Sequence, residues 1–86
     1  MTDSHDKVRT TVDIYGEQYK IVGDKSHQHI QEVSTIVDEK MREIKGMNPY
    51  LDTKRLAVLT AVNIVNEYVM IKKELEDLKK KLREEE

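Results

Sequence analysis

Apolar positions along this chain change their period twice. From Thr11 to Gly23 the residues read T-V-D-I-Y-G-E-Q-Y-K-I-V-G, apolar and polar alternating on either side of Gly16. Period-two alternation marks a strand buried on one side, and a glycine between two such runs marks a hairpin. A II′ turn on Gly16-Glu17 opposes Tyr15 to Gln18, Ile14 to Tyr19, Asp13 to Lys20 and Val12 to Ile21. Val12, Ile14, Tyr19 and Ile21 then share a greasy face, while Asp13 and Lys20 meet as opposite charges on the wet one. An isolated two-stranded ribbon is marginal in water, so the greasy face needs a cover.

Beyond Gly23-Asp24-Lys25 the period lengthens. Ser26 is placed to cap a helix that runs to about Lys45 and is ended by Gly46. Within it Ile30, Val33, Val37, Met41 and Ile44 recur at steps of 3, 4, 4 and 3, a single apolar stripe with Ile36 at its edge. Met47-Asn48-Pro49-Tyr50-Leu51 forms a short connection, and Asp52 caps a second helix that meets no breaker before Glu86. At the helical rise this second helix runs roughly 50 Å, well beyond the reach of the first.

Its apolar pattern states what it is for. Ala57, Ala61, Ile64, Tyr68, Ile71, Leu75, Leu78 and Leu82 are spaced 4, 3, 4, 3, 4, 3 and 4, an unbroken coiled-coil seam. A second row, Val58, Val62, Val65 and Val69, has the same spacing but continues into Lys72 and Glu76, and Leu56, Leu59 and Met70 add apolar area on a third side. The first half of the helix is therefore apolar nearly all round and the second half on one stripe. The first half predicts a core shared with the first helix, the ribbon and a second copy of the chain; the second half predicts a protruding helical pair. With Leu75 and Leu82 at a positions, Glu67, Glu74 and Lys81 face Lys72, Lys79 and Glu86 of a parallel partner, all with opposite signs. Each such exposed pair contributes only about 0.3–0.5 kcal/mol, a tilt toward the parallel arrangement. About two heptads are too short to hold alone, so two dimers are expected to join through these leucines as an antiparallel four-helix bundle.

The predicted fold class is α+β, mostly α: a β-hairpin and short helix as a head, then a long C-terminal coiled-coil helix, assembled as a dimer with a shared core and a tetramer through the C-terminal helices. The segments are a flexible tail at 1–9, the head at 10–51, the dimer-core half of the long helix at 52–71 and its protruding half at 72–86. The oligomerisation residues are Val58, Ala61, Val62, Ile64, Val65, Tyr68, Ile71, Leu75, Leu78 and Leu82.

Composition narrows the function classes. An 86-residue chain buries only about two-thirds of its unfolded surface, and with no Trp and no Phe its core is aliphatic. Association is expected on that ground too. The absence of cysteine removes disulfides and thiolate metal sites and fits the cytoplasm. A net charge of −2 argues against nucleic acid, and no apolar run approaches the ~20 residues of a membrane span. His27 and His29 point apart on a helix, and Lys79-Lys80-Lys81 lies among Glu76, Asp77 and Glu84 to Glu86, so a solvated surface accounts for both. Asn63, inside an apolar helix, reads as a register-fixing residue, and no nucleophile or acid–base constellation appears. No catalysis, cofactor, metal or small-molecule substrate is expected.

Three stretches carry a family likeness: T-V-D-I-Y-G-x-x-Y-x-I-V-G, then I-V-D-E-K-M-R-E-I, then N-P-Y-L-D-x-x-x-L-A-V-L-T-A-V-N-I-V-x-x-Y. Over residues 10 to about 85 the chain resembles the ZapA family of bacterial cell-division proteins in its short, Bacillus-type form. The resemblance implies a cytoplasmic, non-enzymatic protein at midcell that binds the tubulin-like division protein FtsZ, crosslinks or bundles its protofilaments and promotes Z-ring assembly. In that family charged residues of the head are implicated in filament binding, notably a basic residue just after the hairpin glycine. Here that position is Glu17, a departure from the pattern, and the head residues expected to meet FtsZ are Glu17, Lys20, Arg42, Lys45, Lys54 and Arg55. Alternatives are a dimeric ribbon-and-helix nucleic-acid-binding protein, which calls for a basic wet face where this ribbon has Asp13 and Glu17, and a generic coiled-coil adaptor. A small helical enzyme dimer of chorismate-mutase size calls for Arg and Lys inside the bundle, where this chain has Val, Leu and Ile.

Overall fold

A computed structural model describes residues 7–85. The elements are strands β1 (Val8–Ile14) and β2 (Glu17–Gly23), followed by helices α1 (His27–Met47) and α2 (Thr53–Glu85). The chain divides into two units, Met1–Leu51 and Asp52–Glu86. β1 already begins at Val8, because Val8 and Arg9 pair with Gly23 and Val22, so the ordered hairpin takes in the end of the expected tail. Of the rest of that tail, residues 1–6 lie outside the described residues and Lys7 is exposed ahead of the strand.

The hairpin forms, but its turn sits one residue earlier than the II′ reading. Tyr15 and Gly16 are the two central residues, with φ of 51° and 85°. Positive φ at both positions is a type I′ turn, whose twist matches that of the flanking strands. Ile14 therefore opposes Glu17, Asp13 opposes Gln18, Val12 opposes Tyr19 and Thr11 opposes Lys20. The expected Asp13–Lys20 pair is not formed. The partner changes by two positions, so the faces survive: Thr10, Val12 and Ile14 still lie on the same side as Tyr19 and Ile21. Val12 and Thr10 on this side are buried, and Arg9, Thr11, Asp13, Gln18 and Lys20 on the other are exposed. A tyrosine in the left-handed region costs about 1–2 kcal/mol, so something must hold Tyr15 there.

α1 starts where Ser26 caps it, the Ser26 Oγ accepting from the His29 amide at 3.1 Å. It does not stop at Gly46. Asn48 takes over the C-terminus, its backbone N–H donating to the carbonyls of Ile44 and Lys45 and its Nδ2 to Ile44. Pro49 then ends the helix by excluding helical geometry at the residue before it, and Asn48 has φ −136° and ψ 71°. The Lys45 ammonium donates to the Leu51 carbonyl at 2.7 Å, tying the connection back onto the helix.

α1 packs along β1 and parallel to it, as three polar contacts show. The Thr10 Oγ1 lies 2.9 Å from the His27 Nδ1, the Gln31 Nε2 donates to the Thr11 carbonyl at 3.1 Å, and the Tyr15 amide donates to Asp38 at 2.7 Å. In a two-residue hairpin the residues flanking the turn form a bonded pair, so the Thr11 carbonyl points away from β2, where Gln31 shields it. Val12 lies between these contacts on β1 and is buried, as are Met41 and Ile44 in the turns of α1 beyond Asp38. The helix stripe passes through Ser34 rather than Val33: Ser34 is 3 % exposed and Val33 44 %. Ile30, Ser34, Val37, Met41 and Ile44 step by 4, 3, 4 and 3, so the covered stripe is turned slightly around the helix from the one through Val33.

In the second unit, Asp52 caps α2 by accepting from the Arg55 amide at 2.8 Å, and the Asp52 carbonyl accepts from Leu56. α2 spans 33 residues, roughly 50 Å. Its buried residues are Leu56 and Thr60, with Asn63 and Ile64 half-buried below them. The more buried stripe is thus Leu56, Thr60, Asn63 and Ile64, which takes in Ile64 of the heptad seam and leaves the rest of the seam, with Leu59 and Met70, exposed.

Two glycines give opposite expectations. Gly16→Val places a β-branched residue at φ 85° and should cost about 1–2 kcal/mol. Gly46→Ala lies inside a helix with open space around the new Cβ and should add about 0.5–1 kcal/mol. Urea unfolding at fixed protein concentration distinguishes them.

Candidate functional site

Two surfaces stand out, one in each unit. The first is the hairpin tip with the adjoining part of α1. Asp38 is its centre: one carboxylate oxygen accepts from the Tyr15 amide at 2.7 Å and the other from the Arg42 Nε at 3.0 Å. The Arg42 guanidinium carbon stands 5.4 Å from the centroid of the Tyr15 ring, in cation–π range. The Arg42 hydrogen bond, and after it that from the Tyr15 amide, hold the Asp38 carboxyl below the usual carboxylate range. Asp38 in turn holds Arg42 still more firmly in its charged form. Across the turn, Tyr19 donates its hydroxyl to Glu17 at 2.9 Å; that bond and the Glu17 charge push the Tyr19 phenol up.

The second surface is the seam of α2 together with the valine row beside it. Val58, Val62, Val65, Tyr68, Ile71, Leu75, Leu78 and Leu82 are each between 50 % and 64 % exposed. Ala61 is exposed as well, and Ile64 is half-buried. Scattered exposed leucines are ordinary, but a row at coiled-coil spacing along one helix is an unpartnered contact surface. Among the described residues no helix is long and apolar enough to cross a membrane, and no three acidic or histidine side chains gather as a metal site.

The family model for Cell division protein ZapA matches residues 10–86. This chain belongs to the ZapA family. Cell division protein ZapA of Bacillus licheniformis is 59 % identical over 78 residues, covering 91 % of this chain and 92 % of that protein. The ZapA of a Bacillus thuringiensis strain is 55 % identical over 76 residues, covering 88 % and 85 %. Among solved structures, a ZapA mutant dimer from Geobacillus stearothermophilus is 47 % identical and superposes with a TM-score of 0.71 over 90 % of each chain. An antiparallel hairpin followed by two helices, the long one last, is the arrangement this ZapA-family chain adopts, and cell division is the process its family serves.

The head residues named from the sequence fall into different situations. Glu17 and Lys20 are exposed on β2, Glu17 held by Tyr19 and Lys20 opposite Thr11. Arg42 stands on the exposed side of α1, oriented by Asp38. Lys45 is half-buried and spends its ammonium on the Leu51 carbonyl, which makes it a structural tie. Lys54 and Arg55 are exposed in the first turn of α2, and the Arg55 guanidinium lies 3.8 Å from Asp52. Within the first unit, then, the structure gathers Arg42 with Tyr15 and Asp38, two residues that stand in the family motifs but are not among the head residues expected to meet FtsZ. Asp38 and Arg42 sit at helical i, i+4 spacing, which signals an ion pair but says nothing of Tyr15, whose amide is brought to Asp38 only by packing.

Because the folded chain binds the Asp38 proton less readily than the unfolded one, its contribution is present above the ordinary carboxylate range and is lost as pH falls through the lowered value. The Tyr15 amide resonance should therefore hold its position on acidification through the ordinary range and move only below it. In Asp38→Asn that step should vanish from the titration.

Proposed function

We propose that this chain is a cytoplasmic, midcell-localised division accessory protein that binds FtsZ and crosslinks its protofilaments, acting by binding alone. The observation that carries this reading is the exposed heptad seam of α2, taken with membership of a family named for cell division. Val58, Ala61, Val62, Ile64, Val65, Tyr68 and Ile71 pair two copies through the first part of the helix. Leu75, Leu78 and Leu82 continue the seam over residues 72–86, where two dimers join into a tetramer. The solved relative being a dimer supports the first of these steps. Full burial of a leucine is worth about 1.5–3 kcal/mol, so closing a seam with two or four copies of these residues is a sufficient driving force.

A rod of paired helices, roughly 50 Å per copy, keeps one set of heads apart from another. Heads at both ends meet two filaments at once, and bivalence lets a weak single contact hold through effective concentration. On the head, Arg42, Lys20 and Glu17 are exposed charged groups offered to FtsZ, Lys20 on the opposite face of the ribbon from Glu17, and Lys54 and Arg55 stand at the start of α2; Lys45 supports the connection.

Added to FtsZ under polymerising conditions, the protein should increase the pelleted fraction and appear in the pellet itself. Leu75→Glu combined with Leu78→Glu should give the mass of a folded dimer by light scattering, still able to bind filaments but with most of its bundling lost. Unchanged pelleting across a concentration series of the unaltered protein refutes the reading; a tetramer persisting in the double variant refutes the assignment of the leucines.

A further inference from the structure

We propose that Asp38 is a positioning residue of the head: from α1 it locks the hairpin tip in its left-handed turn and sets Arg42 against Tyr15, so that the guanidinium is presented ready-made to a carboxylate of the filament partner. The inference rests on the filament-binding reading above and assigns a role within that same surface.

Three observations converge on one side chain. Tyr15 sits at φ 51°, where a residue with a Cβ is disfavoured and persists only if its surroundings hold it. The hold is visible: the Tyr15 amide donates to Asp38 at 2.7 Å, a short bond to an ionised acceptor. The second Asp38 oxygen takes the Arg42 Nε at 3.0 Å, leaving the two terminal nitrogens of the guanidinium uncommitted to Asp38. The same guanidinium lies over the ring whose backbone Asp38 has fixed, 5.4 Å from its centroid.

A surface ion pair that merely stabilised the helix would need only the i, i+4 spacing and would contribute little. It would not also restrain a strained turn residue in another element and stack the cation upon it. The Asp38 side chain is 24 % exposed and that of Arg42 59 %, so the clamp is covered and the group it aims is open. An arginine held on one edge and one face has already surrendered much of its rotamer freedom, and its remaining fork matches a carboxylate in two-point geometry.

The test uses full-length protein and sedimentation with FtsZ filaments, titrated to half-saturation. Asp38→Ala and Arg42→Ala should each raise the half-saturating concentration about tenfold, and the double variant should be no worse than Arg42→Ala alone. Asp38→Asn, which keeps an acceptor for the Tyr15 amide but loses the charge that orients Arg42, should fall between the unaltered protein and Asp38→Ala. The decline of binding with added salt should flatten to the same degree in Asp38→Ala and Arg42→Ala, which a general loss of fold would not produce. Amide exchange at Tyr15 should accelerate in Asp38→Ala while the molar mass is unchanged. If Asp38→Ala binds as the unaltered protein does, or if the losses from Asp38 and Arg42 simply multiply in the double variant, the positioning role is overturned. Should Asp38→Ala not fold, Asp38→Asn with the affinity and salt dependence of the unaltered protein overturns it equally. If the unaltered protein itself does not sediment with filaments, the filament-binding reading fails and this inference with it; if it does and only the variants are silent, this inference alone fails.

Discussion

Everything in this protein depends on an apolar surface that a single copy leaves in water. α2 carries hydrophobic residues on three sides of its first half and on one stripe of its second, yet only Leu56 and Thr60 are buried on it. A chain of 86 residues with no Trp and no Phe has little else to bring to that surface. The hydrophobic effect scales with area removed from water, so the seam is stable only when matched by another of the same spacing. The association proposed for this chain descends from this one mismatch between apolar area and covering chain.

The head follows a different logic. Its buried apolar residues, Val12, Met41 and Ile44, are few, and polar ties take up the remainder: Thr10 with His27, Gln31 with Thr11, Asp38 with Tyr15. Each of these side-chain contacts joins α1 to β1 or to the turn that ends it. A ribbon too small to stand alone is thereby fixed in register and tip conformation by a helix lying along one strand. The strain of Tyr15 in the left-handed region is tolerated because an anionic acceptor meets its amide.

The crosslinking role proposed above makes physical demands that differ from those on a catalyst. A crosslinker requires a stiff spacer and modest, repeatable contacts, since tight single-site binding would freeze the filament array whereas multiplicity supplies strength that remains reversible. The mixed charges at the head, with Glu17 engaged by Tyr19 and Arg42 aimed by Asp38, are consistent with contacts tuned by geometry rather than by a large basic field.

Much of the architecture was legible from period alone. Alternation around Gly16, the caps Ser26 and Asp52 and the seam from Ala57 to Leu82 are local or strictly repeating features, set by the geometry of strands and helices irrespective of what they touch. The two faces of the hairpin were also determined this way, because a change of partner by two positions leaves every side chain on its own side. The turn itself was not. A II′ turn on Gly16-Glu17 and a I′ turn on Tyr15-Gly16 are both compatible with the same residues, and the choice falls to Asp38, 23 positions along, whose carboxylate offsets the cost of a left-handed tyrosine. Likewise the exchange of Val33 for Ser34 on the buried stripe and the continuation of α1 through Gly46 were decided by packing along β1 and by Asn48 capping the last carbonyls. The sequence determined the elements and their apolar faces, since these arise from interactions a few residues apart; tertiary structure decided the register of the turn and which charged groups stand together, since those energies exist only once distant residues have met.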